Sequence, residues 1–202
     1  MLRLLVDSDV FCKLGITGLL EPAAAIFGVS LAECGCLPAL PYMLRRGKLT
    51  RMYGSPACAA LVSLAESLSV AVATTTSLDK LANVERIDVG EAQIFSAVAD
   101  LGVLALTGDK RALVAVARVP EFPQLLARKI ATFEAVLLSL CGKLGDTAVR
   151  EALKPILDKD QTVRVCFSSG NLEPRAGLRS YFEALKRDVV PLELWAPVEG
   201  DP

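Results

Sequence analysis

Residues 87–113 read IDVGEAQIFSAVADLGVLALTGDKRAL, and this stretch decides the fold class. It has the pattern of a turn, a helix, a short buried strand, a second turn and a second helix. Gly90-Glu91 opens the first helix. Ala92, Ile94, Phe95, Ala97, Val98 and Leu101 recur at helical spacing and give it one apolar face. Gly102 follows as a C-cap. Residues 103–106 are apolar without alternation, as in a parallel strand covered on both faces. Thr107-Gly108-Asp109 leaves the strand, and the next helix starts at Lys110. In open parallel sheets, chemistry collects just beyond the C-terminal ends of the strands. Asp109 stands at such an end, and Glu91 stands at the start of the helix that leads into the same strand.

Working outward, LRLLV (2–6) is a first buried strand that runs into Asp7-Ser8-Asp9. Helical patterns follow over 10–15 and 18–27, then a second strand over 36–40 and a short helix in PYMLRRGKLTRM from Pro41. Ser55-Pro56 starts a helix that reaches about 68, with Ser as N-cap and Pro at the first helical position. A third strand over 70–73 and a short helix over 77–83 precede the opening stretch. The helix from Lys110 ends near Arg118, and Pro120 and Pro123 mark a break. Beyond it the pattern predicts helices over about 125–140 and 147–157, a β-rich patch over 162–167, the loop SSGNLEP and a last helix over 178–188. The alternation of strand and helix argues for an α/β fold with parallel strands. The expected architecture is a three-layer sandwich, a central parallel sheet flanked by helices over 1–119, with a mainly helical C-terminal extension over 120–202 packed on it.

Composition narrows the chemistry. The chain has 202 residues, 52% of them hydrophobic, and a formal net charge of −1, so no global basic field draws in nucleic acid. Histidine is absent, which removes Ser-His-Asp and Cys-His catalysis and imidazole metal ligands. Six cysteines form no C-x-x-C pair and lie mostly in apolar segments, the pattern of buried free thiols in a reducing cytoplasm. The first strand starts almost at Met1, so no signal peptide is expected. The apolar region 14–40 is broken by Glu21, Pro22, Glu33 and glycines and does not read as a membrane span.

Four acids belong together: Asp7, Asp9, Glu91 and Asp109. If the first strand and the 103–106 strand are parallel neighbours, Asp7 and Asp109 emerge at one edge, and Glu91 reaches the same edge. Each close pair of carboxylates costs about 4 kcal/mol at an effective dielectric near 20. A divalent cation relieves that repulsion, and hard oxygen ligands suit Mg²⁺ or Mn²⁺. Such a site activates a phosphodiester without histidine. A purely structural use of the same residues stands beside this one. Asp88 and Glu91 have capping-box spacing, and Asp7, Asp9 and Asp109 can each cap a helix.

These residues resemble a known family, the PIN-domain nucleases. LLVDSDVF is similar to the family's first strand with its metal-binding acid, which falls on Asp7. GEAQIFSAVADLGVLALTGDKRAL is similar to its second half, whose acids fall on Glu91 and Asp109, with Thr107 matching a frequent threonine. The similarity covers about 1–118. The resemblance implies a helix-flanked parallel sheet, an Mg²⁺ or Mn²⁺ site, and hydrolysis of single-stranded RNA. It also implies a toxin role in a toxin–antitoxin pair, with a protein antitoxin or regulator and a homodimer as partners. The chain departs from the family at one place: Arg46 stands about where a glutamate is usual, and Glu33 fits only with a shifted register. Asp7, Glu91 and Asp109 are therefore the expected catalytic and metal-holding residues, with Asp9 as a further metal ligand.

Phosphate contacts are expected from Arg45, Arg46, Lys48 and Arg51 in RRGKLTR, and from Lys110 and Arg111 beside the acids. Phe95, Phe133, Phe182 and Trp195 read as packing residues. Leu178, Tyr181, Phe182 and Leu185 share one helix face and dock on the chain's own core or on a partner. Two other readings remain. One is a PIN-like module without activity that binds nucleic acid or protein. The other is a phosphatase similar to the haloacid dehalogenases, suggested by the D-x-D of Asp7 and Asp9, residues 74–76, Lys80 and Gly108-Asp109. Against it, Val10-Phe11 follows the D-x-D where Thr is expected, and no second acid follows Asp109.

Overall fold

A computed structural model of the chain describes residues 1–71 and 75–198. Strand β1 (Leu4–Val6) is followed by helices α1 (Ser8–Ile16) and α2 (Leu20–Ile26). Strand β2 (Cys34–Cys36) is followed by α3 (Leu40–Arg45), α4 (Lys48–Tyr53) and α5 (Ser55–Ser67). Strand β3 (Ser69–Val70) leads to α6 (Thr75–Leu81) and α7 (Val89–Leu101). Strand β4 (Leu104–Thr107) leads to α8 (Lys110–Val116) and α9 (Phe122–Leu125). Strand β5 (Ile130–Thr132) opens the last stretch, α10 (Phe133–Leu144), α11 (Asp146–Leu153), α12 (Gln161–Phe167) and α13 (Pro174–Asp188).

The five strands form one parallel sheet in the order β3-β2-β1-β4-β5. The α/β class expected from the strand–helix alternation is what the chain adopts. β1 sits at the centre, with Leu4, Leu5 and Val6 each at most 1% exposed, so both its faces are covered. That burial explains why LLV carries no polar alternation. Its neighbour β4 pairs in register, Leu4 with Leu104 and Val6 with Leu106. The asymmetry of the chain order makes β1 and β4 the strands where connections leave in opposite directions, which is where an open α/β sheet forms a crevice.

Three local expectations are corrected. The second strand lies at 34–36 rather than 36–40, because Pro38 has no N–H to give to a ladder. The segment 125–140 is not one helix. It contains β5, which pairs with β4 through Ala105–Ile130 and Thr107–Thr132 before Thr132 caps α10 by accepting from the Ala135 amide. Residues 162–167 are helical rather than β. Asp160 caps that helix through the Val163 amide, and Val163, Cys166 and Phe167 are buried at helical spacing while Val165 is 46% exposed. The third strand keeps only Ser69–Val70, and the rest of the expected run, 72–73, lies outside the described residues, as does Thr74.

The core runs without interruption across Val119. Phe122, Ile130, Val136, Leu137, Leu140, Leu178 and Val189 belong to the same buried cluster as Leu5 and Phe95. Helix α13 turns Leu178, Phe182 and Leu185 inward, so its apolar face docks on the chain itself. The outer side of β5 is also covered, since Ile130 accepts from the Trp195 amide at 2.8 Å and Arg128 donates its amide to Glu193 at 2.7 Å. This blunts an otherwise open strand edge. Phe95, Phe133 and Phe182 are buried, and Trp195 packs on Phe27 with ring centres 4.8 Å apart. All six cysteines are free and buried, and among the described residues no helix is long and apolar enough to cross a membrane.

Gly35, in the middle of β2, is required by close approach. A Cβ there would lie 2.4 Å from the Leu2 side chain and 2.8 Å from the Ser69 carbonyl. The backbone of β3 cannot yield without breaking its pairing. Gly35→Ala is expected to lower the unfolding free energy by about 1–3 kcal/mol, read as a lower urea midpoint at unchanged slope.

Candidate active site

The acids gather at the C-terminal ends of β1 and β4. Asp7 directly follows β1, and its amide donates to Leu106 of β4 at 2.9 Å, so the two strand ends are tied together there. Asp7 is the N-cap of α1 and accepts from the Asp9 amide. Asp109 caps α8, accepting from the amides of Arg111 and Ala112 at 2.8 and 2.9 Å with one carboxylate oxygen. The buried Thr107 hydroxyl accepts from the Asp109 amide and steadies the turn. Asp88 and Glu91 form the expected capping box, with Glu91 accepting from the Asp88 amide at 2.7 Å and Asp88 accepting from the Glu91 amide at 2.9 Å. Capping and convergence thus coexist: each acid is pinned by local backbone amides, and the pinning brings Glu91 against Asp109.

Electrostatics distinguishes these acids from ordinary caps. Burial pushes the Asp7 carboxyl up to about 6, and the charge of Asp9 adds to the rise while nearby amides oppose it. Burial pushes Glu91 up to about 7, with the adjacent Asp109 carboxyl adding to it and the Asp88 amide opposing it. Among the described residues no Lys or Arg forms an ion pair with Asp7, Glu91 or Asp109. Negative charge here is uncompensated, and raised carboxyl values are the expected response.

Asp9 is different. Its Oδ2 pairs with Lys13 at 2.7 Å, and its Oδ1 accepts from the Tyr53 hydroxyl at 2.6 Å. Lys13 also pairs with Asp160 at 2.6 Å and lies over the Phe133 ring. Burial works against its charge, but Asp9 and Asp160 outweigh it and hold the ammonium above its ordinary value. Burial, reinforced by Asp9, drives the Tyr53 phenol upward. Both oxygens of Asp9 are therefore engaged in a chain that joins α4, α1 and the start of α12.

A second lysine is tethered in the same way. Lys110 pairs with Glu134 at 2.7 Å and lies over the Tyr181 ring. Glu134 is buried in the first turn of α10, accepts from Thr162, and keeps its other oxygen without a hydrogen-bond partner. The sequence reading did not select Lys13, Tyr53, Glu134 or Asp160. Lys13 was legible as the i+4 partner of Asp9, whereas Glu134 was hidden because β5 reads as helix.

The expected phosphate-binding residues divide. Arg45, on α3, is paired with Glu66, while Arg46 in the turn and Lys48 and Arg51 on α4 are exposed. Arg111 is exposed, and Lys110 is committed to Glu134. Glu33 precedes β2 and pairs with Arg3, so it lies at the opposite end of the sheet from Asp7.

A cation of the kind the PIN resemblance implies fits Asp7, Glu91 and Asp109 by donor chemistry. They are hard oxygens, Asp7 and Asp109 past the ends of adjacent strands and Glu91 in the first turn of α7, two of them with raised values and none paired with a base. Among the described residues no three such side chains form a preassembled metal cluster; Asp7 faces Asp9, and Glu91 faces Asp109. Mg²⁺ commonly uses only one or two carboxylates and completes its shell with water and substrate phosphate.

Two outcomes are expected. Lys13→Met leaves Asp9 and Asp160 as unpaired, partly buried carboxylates and lowers stability by about 3 kcal/mol, measured by thermal or urea unfolding. In chelator, the raised carboxyls make the folded state bind protons more tightly than the unfolded chain. Stability should then fall as pH rises from about 4 through 6 and 7. Asp7→Asn should flatten that fall and exceed the wild type in melting temperature at pH 8, with the difference closing toward pH 4.

No protein-family model, curated protein or solved structure matches this chain. What bears on its function is the order of its strands and the chemistry of its acidic rim.

Proposed function

We propose that this chain is a PIN-like α/β domain, a helix-flanked three-layer sandwich, acting as a divalent-cation-dependent ribonuclease that hydrolyses RNA phosphodiester bonds. The observation that carries the proposal is Glu91 set against Asp109 past the end of β4, with the half-buried Asp7 at the end of the neighbouring β1 and no basic side chain paired with any of the three. Asp7, Glu91 and Asp109 would hold Mg²⁺ or Mn²⁺. When bound, the ion polarises the phosphodiester and stabilises the leaving oxygen. The backbone caps hold Asp7 and Asp109 in place, so little reorganisation is needed when substrate arrives. Water adds to phosphorus and gives its proton to solvent, while the bond to the leaving sugar oxygen breaks and that oxygen takes a proton from solvent. Asp9 serves as the counter-ion of Lys13 and fixes the α1 end of the site.

A second reading is a module that binds without cleaving. It is favoured by one observation: Lys13 and Tyr53 occupy both oxygens of Asp9, so three acids remain where the family commonly has four.

The test is incubation of generic single-stranded RNA with Mn²⁺. Wild type should cleave it, Asp7→Asn and Glu91→Gln should lose about a hundredfold or more in rate, and phosphomonoesters should release no phosphate. Mn²⁺ should also raise the melting temperature of the wild type, more at pH 8 than at pH 6, because the ligands must lose their protons first. Intact RNA with wild type and Mn²⁺ would leave the non-cleaving reading in place.

A further inference from the structure

Two hollows of about 410 and 340 Å³ adjoin on the outer face of α8 and share Arg86, Arg111 and Val114. The larger is closed on its far side by α13 through Tyr181, and the smaller runs on to Arg118. Together they make one groove with a cationic floor and a partly apolar, aromatic wall. Its position is set by the same two turns that present the acids. Arg111 lies two residues after Asp109, and Arg86 lies two residues before Asp88, the cap of the helix that carries Glu91. Arg86 has a left-handed backbone (φ 70°), a conformation that costs a non-glycine residue energy and is worth a functional explanation. Glu85 stands at the groove margin, 91% exposed and 3.8 Å from Arg86, and Asp188 at the other margin, so the arginines outnumber the acids.

We infer that helix α13, the last element of the C-terminal stretch, is a substrate-binding element. With α8 it forms a channel for single-stranded RNA, in which Arg86, Arg111 and Arg118 take backbone phosphates and Tyr181 with Val114 takes a base. This rests on the phosphodiester reading for the choice of RNA. The groove itself favours a nucleic acid over an acidic peptide, because an aromatic surface beside spaced arginines matches alternating bases and phosphates. Lys110 is not a phosphate ligand in this arrangement. Held by Glu134 at 2.7 Å, its ammonium lies 4.7 Å from the Tyr181 ring centre and steadies that ring as part of the wall. The buried Glu134 carboxylate, otherwise without an evident purpose, thereby becomes the anchor of the channel wall.

The experiment is fluorescence anisotropy of a labelled oligouridylate with the full chain in chelator, over a salt series. Arg86→Gln with Arg118→Gln should weaken binding about tenfold and flatten the dependence of log affinity on log salt by about 0.7 per arginine removed. Tyr181→Ala should weaken it about tenfold, while Tyr181→Phe retains it. Matched melting curves for Tyr181→Phe and the arginine pair separate binding from folding. Arg3→Gln, at the opposite end of the sheet from Asp7, should leave affinity unchanged. Unchanged affinity in the groove variants, an equal loss with Arg3→Gln, displacement of the RNA by polyglutamate at comparable concentration, or no RNA binding at all would each overturn the channel. Groove-dependent binding without cleavage in Mn²⁺ supports the channel and rejects the nuclease. Cleavage whose KM ignores the groove variants does the reverse.

Discussion

The pairing of β1 with β4 is the constraint on which everything else depends. These strands are separated by nearly a hundred residues, yet their register is fixed by three consecutive pairs and by the Asp7 amide donating to Leu106. In a parallel sheet all strands end at the same rim, so this one pairing carries Asp7 and Asp109 to one place. A slip by a single residue would turn Leu5 or Leu106 toward the wrong face and separate the acids. Burial of Leu4, Leu5, Val6, Ala105 and Leu106 makes that slip costly. The site is therefore a consequence of core packing rather than a separate feature added to it.

Around that rim, charge is managed in two distinct ways. Asp9 and Glu134 are each given a lysine, and the lysines in turn anchor α12 and α13 to the sheet through Asp160 and through Tyr181. Asp7, Glu91 and Asp109 are given backbone amides and, between Glu91 and Asp109, each other, but no cation. Amides orient a carboxylate and lower its proton affinity somewhat, but they carry no full positive charge, so burial still wins and the values of Asp7 and Glu91 rise. The contrast within a few residues separates acids that have a cation partner from acids that have none. It also gives the C-terminal stretch a structural reason to exist, since it supplies β5, Glu134 and Asp160 as well as one wall of the groove.

The apolar run and turn of residues 103–109 were sufficient to establish an α/β fold, because an uninterrupted buried strand between two helical periodicities has few other solutions. The caps at Asp88 and Asp109 were legible for the same reason: they act over three residues, within reach of local pattern. The absence of histidine alone confined any chemistry to carboxylates, lysine, arginine, tyrosine, serine or cysteine. Tertiary structure decided the rest. A strand as short as β5 has no periodicity of its own, and only its pairing with β4 separates Ile130–Thr132 from the helix that follows. The fate of Thr162–Phe167 turned on which side the core lay, which V-x-V spacing cannot tell. Which acids are neutralised was beyond the sequence too, because Lys13 meets Asp160 across 147 residues and an ion pair at that separation leaves no local trace.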